Sequence, residues 1–231
     1  DVTNFYAEAG GQQADHGRMF VSKEARTSAS DPHHGGEFRV EDAKAYGGYV
    51  LHTGRMVRGE LRVGDEVTLN IDDERRLGLA ANHTCTHLFN FALREVVGGE
   101  TAPEQRGSLV APDRLRFDFD ASGPVSPADL RRIEDIVGRA IEQDLPVYAD
   151  LVPQDKALEI NGLRAVFGEK YPNPVRVVSI GAPIEKMASN PSDDAWREYS
   201  VELCGGTHLA TTGQAQSFAI VHEEGVAKGI R

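Results

Sequence analysis

Up to about residue 74 the apolar positions alternate in short runs interrupted by glycine, at 4–8, 18–22, 37–43, 49–53 and 66–71. Alternation at period two with glycine at the breaks predicts strands, and five short ones in this space predict a small glycine-rich β-barrel. The segment 25–36 is polar and turn-rich, so it reads as an exposed loop, with His33 and His34 solvated and given no metal role. After Asp72 the period changes. A helix is predicted over 76–97, with His83 and His87 one turn apart on one face and Leu88, Phe91, Ala92 and Val96 on an adjacent apolar stripe.

Further along, 108–111 and 115–119 read as a strand pair turning at Pro112-Asp113-Arg114. The clearest helix follows: Ser126 is its cap, Pro127 suits its first turn, and Leu130, Ile133, Ile136, Val137, Ala140 and Ile141 recur at helical spacing. It is expected to cover a sheet. Strands at 147–152, 175–180, 199–203 and 217–222 and a short helix at 155–160 complete the pattern. The class is α+β, in two parts: a small barrel over 1–74 and a mixed α/β core over 75–231.

Two sequence motifs change this picture from fold to chemistry. His83-Thr-Cys-Thr-His87 places two imidazoles on one helix face, and Cys204-Gly-Gly-Thr-His208 adds a thiolate and a third imidazole. Gly205 and Gly206 disfavour a helix and suit a tight loop after a strand. One thiolate with three imidazoles suits a single tetrahedral zinc, clasped by the helix from one side and the loop from the other. The metalloprotease pattern H-E-x-x-H is absent, since Thr84, Cys85 and Thr86 stand between the histidines, and peptidase chemistry is disfavoured accordingly. Gly10-Gly11 reads either as a plain turn or as a loop whose backbone approaches a ligand, with Glu8 and Gln12 flanking it.

The formal net charge of −11, with a pI near 5.2, argues against holding nucleic acid by bulk electrostatics. Local cations remain at Arg75-Arg76, Arg114 with Arg116, Arg131-Arg132, and Lys228 with Arg231, a type of cluster that is usually solvated surface. No apolar run approaches the roughly 20 residues of a membrane helix, so no membrane partner is expected. Two cysteines give no disulfide framework, which fits a reducing compartment. Asp1 and the finish at Gly229-Ile230-Arg231 suggest a piece excised from a longer protein.

Taken in order, these segments resemble the editing domain of alanyl-tRNA synthetases, in particular the eukaryotic-type sequences. Phe5-Tyr6-Ala7-Glu8-Ala9-Gly10-Gly11-Gln12 is similar to the family's F-Y-x-E-x-G-G-Q segment. Asn82 to His87 is similar to its first zinc motif and Val201 to His208 to its second. Gln105-Arg106-Gly107-Ser108-Leu109-Val110 and Leu115-Arg116-Phe117-Asp118-Phe119 are similar to the strand pair lining its pocket. Cys85 departs from the alanine common in the family and leaves the four ligands intact.

The resemblance implies a core like those of the threonyl and alanyl editing domains, with one zinc on His83, His87, Cys204 and His208. It implies hydrolysis of the ester in tRNA(Ala) mischarged with serine or glycine. The partners would be that tRNA's acceptor end and the rest of the synthetase, in the cytoplasm or, for a mitochondrial form, in that organelle. Gln105, Thr84 and Thr86 are the candidates for the polar groups of the pocket, and Gly10, Gly11 and Gln105 for substrate contacts. Four protein ligands close a zinc shell, so no zinc hydroxide is assumed, and no acid within the motifs stands out as a base. The alternatives are a freestanding protein with the same activity and a noncatalytic, zinc-stabilised RNA-binding module.

Overall fold

The computed structural model describes residues 2–21, 35–98, 102–166 and 170–231. The expected loop at 25–36, with His33 and His34, lies almost wholly outside the described residues.

Four antiparallel strands form the N-terminal sheet: β1 (Gly17–Val21), β2 (Glu37–Tyr46), β3 (Tyr49–Arg58) and β4 (Val67–Ile71), in the order β3-β2-β1-β4. Gly47 and Gly48 both have positive φ, which gives the two-residue turn joining β2 to β3 the twist its strands require. Phe5, Ala14, Val40 and Ala43 make its small core. The expected barrel is represented by this sheet alone, since no ladder among the described residues joins β3 to β4.

The strand expected at 4–8 is instead irregular. Its backbone is satisfied piecemeal, through Glu8 N–H to Ala43 O (2.8 Å), Asp15 N–H to Tyr6 O (3.1 Å) and Tyr6 N–H to the Asp15 carboxylate (2.6 Å). β1 occupies its side of β2 only over Glu37–Val40, and beyond that the segment meets β2 through the single bond to Ala43.

The long helix α1 (Asp73–Val97) starts where the Asp72 carboxylate accepts from Arg75 N–H at 3.0 Å. Two of its first-turn side chains reach back to the N-terminal segment. Arg75 donates to Ala14 O and the Gln13 amide, and Arg76 pairs with the fully buried Asp15 carboxylate.

The hairpin β5 (Gln105–Val110) and β6 (Leu115–Phe119) precedes α2 (Pro127–Glu142), capped by Ser126 as expected. α2 buries Ile133, Val137 and Ile141, each contributing about 1.5–3 kcal/mol relative to exposure. Its main partner is α1 rather than a sheet. A third antiparallel sheet, β7 (Val147–Val152), β8 (Val175–Ile180) and β9 (Ser200–Leu203), has β8 in the middle, with α3 (Gln154–Leu158) and α4 (Ile184–Ser189) beside it.

The strand expected at 217–222 forms no ladder. Phe218 and Ile220 do alternate inward onto the core of α1 and α2, but Ile220 N–H is satisfied by the Glu134 carboxylate of α2 at 2.6 Å.

Candidate metal centre

α1 turns His83 and His87 inward, both nearly fully buried. β9 delivers Cys204 at its end, and the loop after it folds His208 back against the helix. The donor atoms of His83, His87, Cys204 and His208 all lie within 4.8 Å of one another. Cys204 Sγ is 3.3 Å from His83 Nε2 and 3.4 Å from His208 Nε2. The His208 ring centre stands 4.5 Å from that of His83 and 4.6 Å from that of His87.

Two features give the loop this path. Arg176, on the neighbouring β8, donates through one nitrogen to Cys204 O (2.9 Å) and Gly206 O (2.8 Å). At Gly206 a Cβ would fall 2.1 Å from His83 Cε1, so only glycine lets the backbone pass the ring.

Burial dominates the electrostatics. It lowers His83 and His87 to about 3, helped at His83 by His87 and Arg176 and at His87 by Arg164 and Arg176. His208 is driven well below its ordinary value, again chiefly by burial. The three imidazoles are therefore neutral, with lone pairs free for a cation. Burial pushes the Cys204 thiol up to about 11, opposed by the Gly206 N–H at 3.4 Å. A nearby cation reverses that balance and favours the thiolate.

The donors fit a metal by an independent observation. His87 Nδ1 is buried and has no hydrogen-bond partner, whereas its Nε2 faces the Glu202 carboxylate at 3.6 Å. An orphaned buried nitrogen is costly unless something fills its lone pair. The outer partners fit as well. The His83 Nδ1 edge meets the Gln12 amide oxygen at 2.7 Å, and the His208 Nδ1 edge meets Thr84 Oγ1 at 3.2 Å. The His83 and His208 rings are thus each held at Nδ1 with Nε2 turned to Cys204, as metal-bound imidazoles require.

Among the expected pocket residues, Thr84 also accepts from Leu209 N–H at 3.1 Å, so it clips the helix to the loop. Thr86 donates to Asn82 O at 2.7 Å, inside its own helix. Gln105 lines a cavity of about 380 Å³ together with Asn90, Arg94, Arg164 and Glu202 and the apolar Leu163, Val166 and Leu203. Gly10 and Gly11 do not line it; they turn the chain against β5, where a Cβ on Gly11 would fall 2.4 Å from Ser108 Oγ.

Two residues of the site were not singled out by the sequence, and a third, Gln12, was offered only as a flank of the glycine turn. Gln12 is fully buried beside His83, Arg176 holds the loop, and Glu202 links His87 to the cavity. Glu202 receives the Asn90 amide at 2.9 Å and is raised to about 7 by burial, against the opposing pull of Arg164 and Asn90. Its position two residues before Cys204 in a buried strand was the available signal. Of the expected cationic clusters, Arg75-Arg76 is engaged with the N-terminal segment, and Arg114, Arg116 and Arg231 each pair with an acid.

The family model described as "Threonyl and Alanyl tRNA synthetase second additional domain" matches residues 175–231, which supply Cys204, His208 and Arg176. The model for class II (A) tRNA synthetases matches residues 1–75. These matches mark a segment of a class II aminoacyl-tRNA synthetase bearing the additional domain shared by threonyl and alanyl enzymes. Over its full length the chain is 46% identical to the mitochondrial alanine–tRNA ligase of Saccharomyces cerevisiae, 48% to the alanine–tRNA ligase of Candida albicans and 46% to the cytoplasmic alanine–tRNA ligase of Bombyx mori. It belongs to the alanyl-tRNA synthetase family. The chain spans 22–23% of the length of these relatives, whose names cover both compartments. No helix among the described residues is long and apolar enough to cross a membrane.

Proposed function

We propose that this segment is the editing hydrolase of an alanyl-tRNA synthetase, holding one zinc ion on His83, His87, Cys204 and His208 and deacylating seryl- and glycyl-tRNA(Ala). The observation that carries the reading is Glu202: one carboxylate oxygen faces His87 while the side chain lines the cavity that Gln105 also lines. The donor set and the cavity thus meet at Glu202.

A pocket that accepts alanine cannot strongly exclude glycine, and it rejects one added hydroxyl only by about 10²-fold, so a second sieve is needed. For serine, a cavity lined by Gln105, Asn90 and Arg164 can invert the selection. It can hydrogen-bond the seryl hydroxyl, and alanine would leave those groups unpaired at about 1–3 kcal/mol each. When bound, zinc supplies a fixed positive charge that orders the pocket and polarises what approaches it. Gln105 orients the aminoacyl group, Glu202 with Asn90 orients His87, and Thr84 orients His208.

The partners are then the acceptor end of the tRNA and the remainder of the synthetase, in the cytoplasm or, for a mitochondrial form, in that organelle. The division into 1–74 and 75–231 is supported by the separate N-terminal core and by the family match ending at residue 75.

The test is hydrolysis of seryl- and alanyl-tRNA, both on the alanine-specific tRNA, with zinc content measured in parallel. Loss of serine alone, with one zinc bound, is the expected result. A zinc-loaded chain that binds the tRNA and cleaves neither ester would instead be a noncatalytic RNA-binding module.

A further inference from the structure

We infer that Gln12 is a positioning residue of the metal centre: its side-chain amide fixes which nitrogen of His83 is free for the metal and locks the Cys204–His208 loop in place. The amide is fully buried and makes three hydrogen bonds. Its oxygen lies 2.7 Å from His83 Nδ1 and 2.9 Å from Thr207 N, and its nitrogen lies 2.9 Å from Thr207 Oγ1.

The assignment of atoms follows from chemistry. A backbone N–H can only donate, so the amide atom facing Thr207 N is the oxygen. That same oxygen faces His83 Nδ1, and an oxygen without hydrogen can only accept. His83 Nδ1 therefore carries the ring hydrogen, and in a neutral imidazole the lone pair is left on Nε2. Nε2 is the nitrogen that stands 3.3 Å from Cys204 Sγ. One amide thus sets the tautomer of a ligand from the helix and pins the backbone between the two ligands of the loop.

The glycine turn exists to put the amide there. Ala9 and Gln12 exchange backbone hydrogen bonds of 3.3 and 3.0 Å across Gly10 and Gly11, whose φ values are 56° and 83°. The turn is fastened to β5 by Gln13 N–H to Val110 O (3.0 Å) and Val110 N–H to Gly11 O (2.8 Å), with Gly11 against Ser108. Arg75 adds a tie from α1 to Gln13 and Ala14. The metal centre is accordingly built from three stretches of chain, and the third belongs to the N-terminal part.

The inference rests on the metal-binding reading of the four donors and fails separately from it. Zinc affinity of the unaltered chain, by competition with a chromophoric chelator, tests that reading. Gln12→Met and Gln12→Glu test the role of the amide, with unfolding of each metal-free variant followed by circular dichroism. Methionine keeps the volume and removes every hydrogen bond, so affinity should fall about 10–100-fold. Glutamate still accepts from both N–H groups and can receive the Thr207 hydroxyl, so affinity should stay within ~3-fold. Parent-like affinity in Gln12→Met, or equal loss in both variants with parent-like unfolding, would overturn the inference.

Should Gln12→Met not fold, long-range ¹H–¹⁵N correlation on the unaltered metal-free chain decides. A His83 ring protonated at Nδ1 supports the assignment, and one protonated at Nε2 rejects it.

Discussion

The two halves of the donor set are held by opposite means. His83 and His87 need nothing beyond helical periodicity to share a face, because α1 is capped at Asp72 and buries that face along most of its length. Cys204 and His208 sit in a loop with no ladder of its own, and their placement depends on side chains from elsewhere: Arg176 from β8, Gln12 from the N-terminal turn and Thr84 from α1. A helix is a local device, whereas this loop is a consequence of tertiary structure. Disturbing the loop should therefore damage metal binding far more than a comparable change on the helix.

The sharpest break is Gly206→Ala. The added methyl falls on the His83 ring and within 2.9 Å of the Gln12 amide oxygen, so helix and loop ligands are forced apart together. Zinc affinity by chelator competition should drop by at least ~100-fold, with overpacking costing about 1–3 kcal/mol in the folded protein. Unchanged affinity would mean that the loop is free to find another path.

Thr84→Val strikes the clip between the halves. It leaves Leu209 N–H, in a nearly fully buried residue, without its acceptor and removes the partner of the His208 ring. A loss of about 1–3 kcal/mol in denaturant unfolding and ~10-fold in zinc affinity is expected. Full retention of both would reassign Thr84 to a packing role.

Thr86→Ala is the helix-side control and should do least. Its hydroxyl serves Asn82 O within α1, so stability should stay within about 1 kcal/mol and zinc affinity should not change. A tenfold loss of affinity would show that Thr86 acts on the site after all.

The same contrast explains what could be read from the chain alone. α1, α2, the β5–β6 hairpin and β7, β8 and β9 follow from periodicity, capping residues and the turn at Pro112, all of which act within a few positions. The four donors were legible because each pair is local and the chemistry of thiolate with imidazole is distinctive. Arg176, Gln12 and Glu202 were not, because each acts on a residue whose proximity only the finished fold creates, or hides as an ordinary polar position in a strand or turn.

The misread strands fail for a related reason. The segments 4–8 and 217–222 carry strand-like alternation, but they are satisfied by single groups, such as Ala43 O and the Glu134 carboxylate, and not by a ladder. In α2 the sequence gives the apolar stripe correctly but not its partner, since a stripe fits a helix as well as a sheet.

The bonds between Gln12 and Thr207 span 195 positions of the chain. During synthesis at about 5–20 residues per second, the amide emerges roughly 10–40 s before the loop it must hold. Until then His83 and His87 are on hand without the thiolate or the third imidazole, so any earlier capture of metal is by an incomplete and exchangeable pair. Closure of the full donor set waits on this contact across 195 positions, so capture of a metal by all four donors would follow the long-range closure rather than seed it.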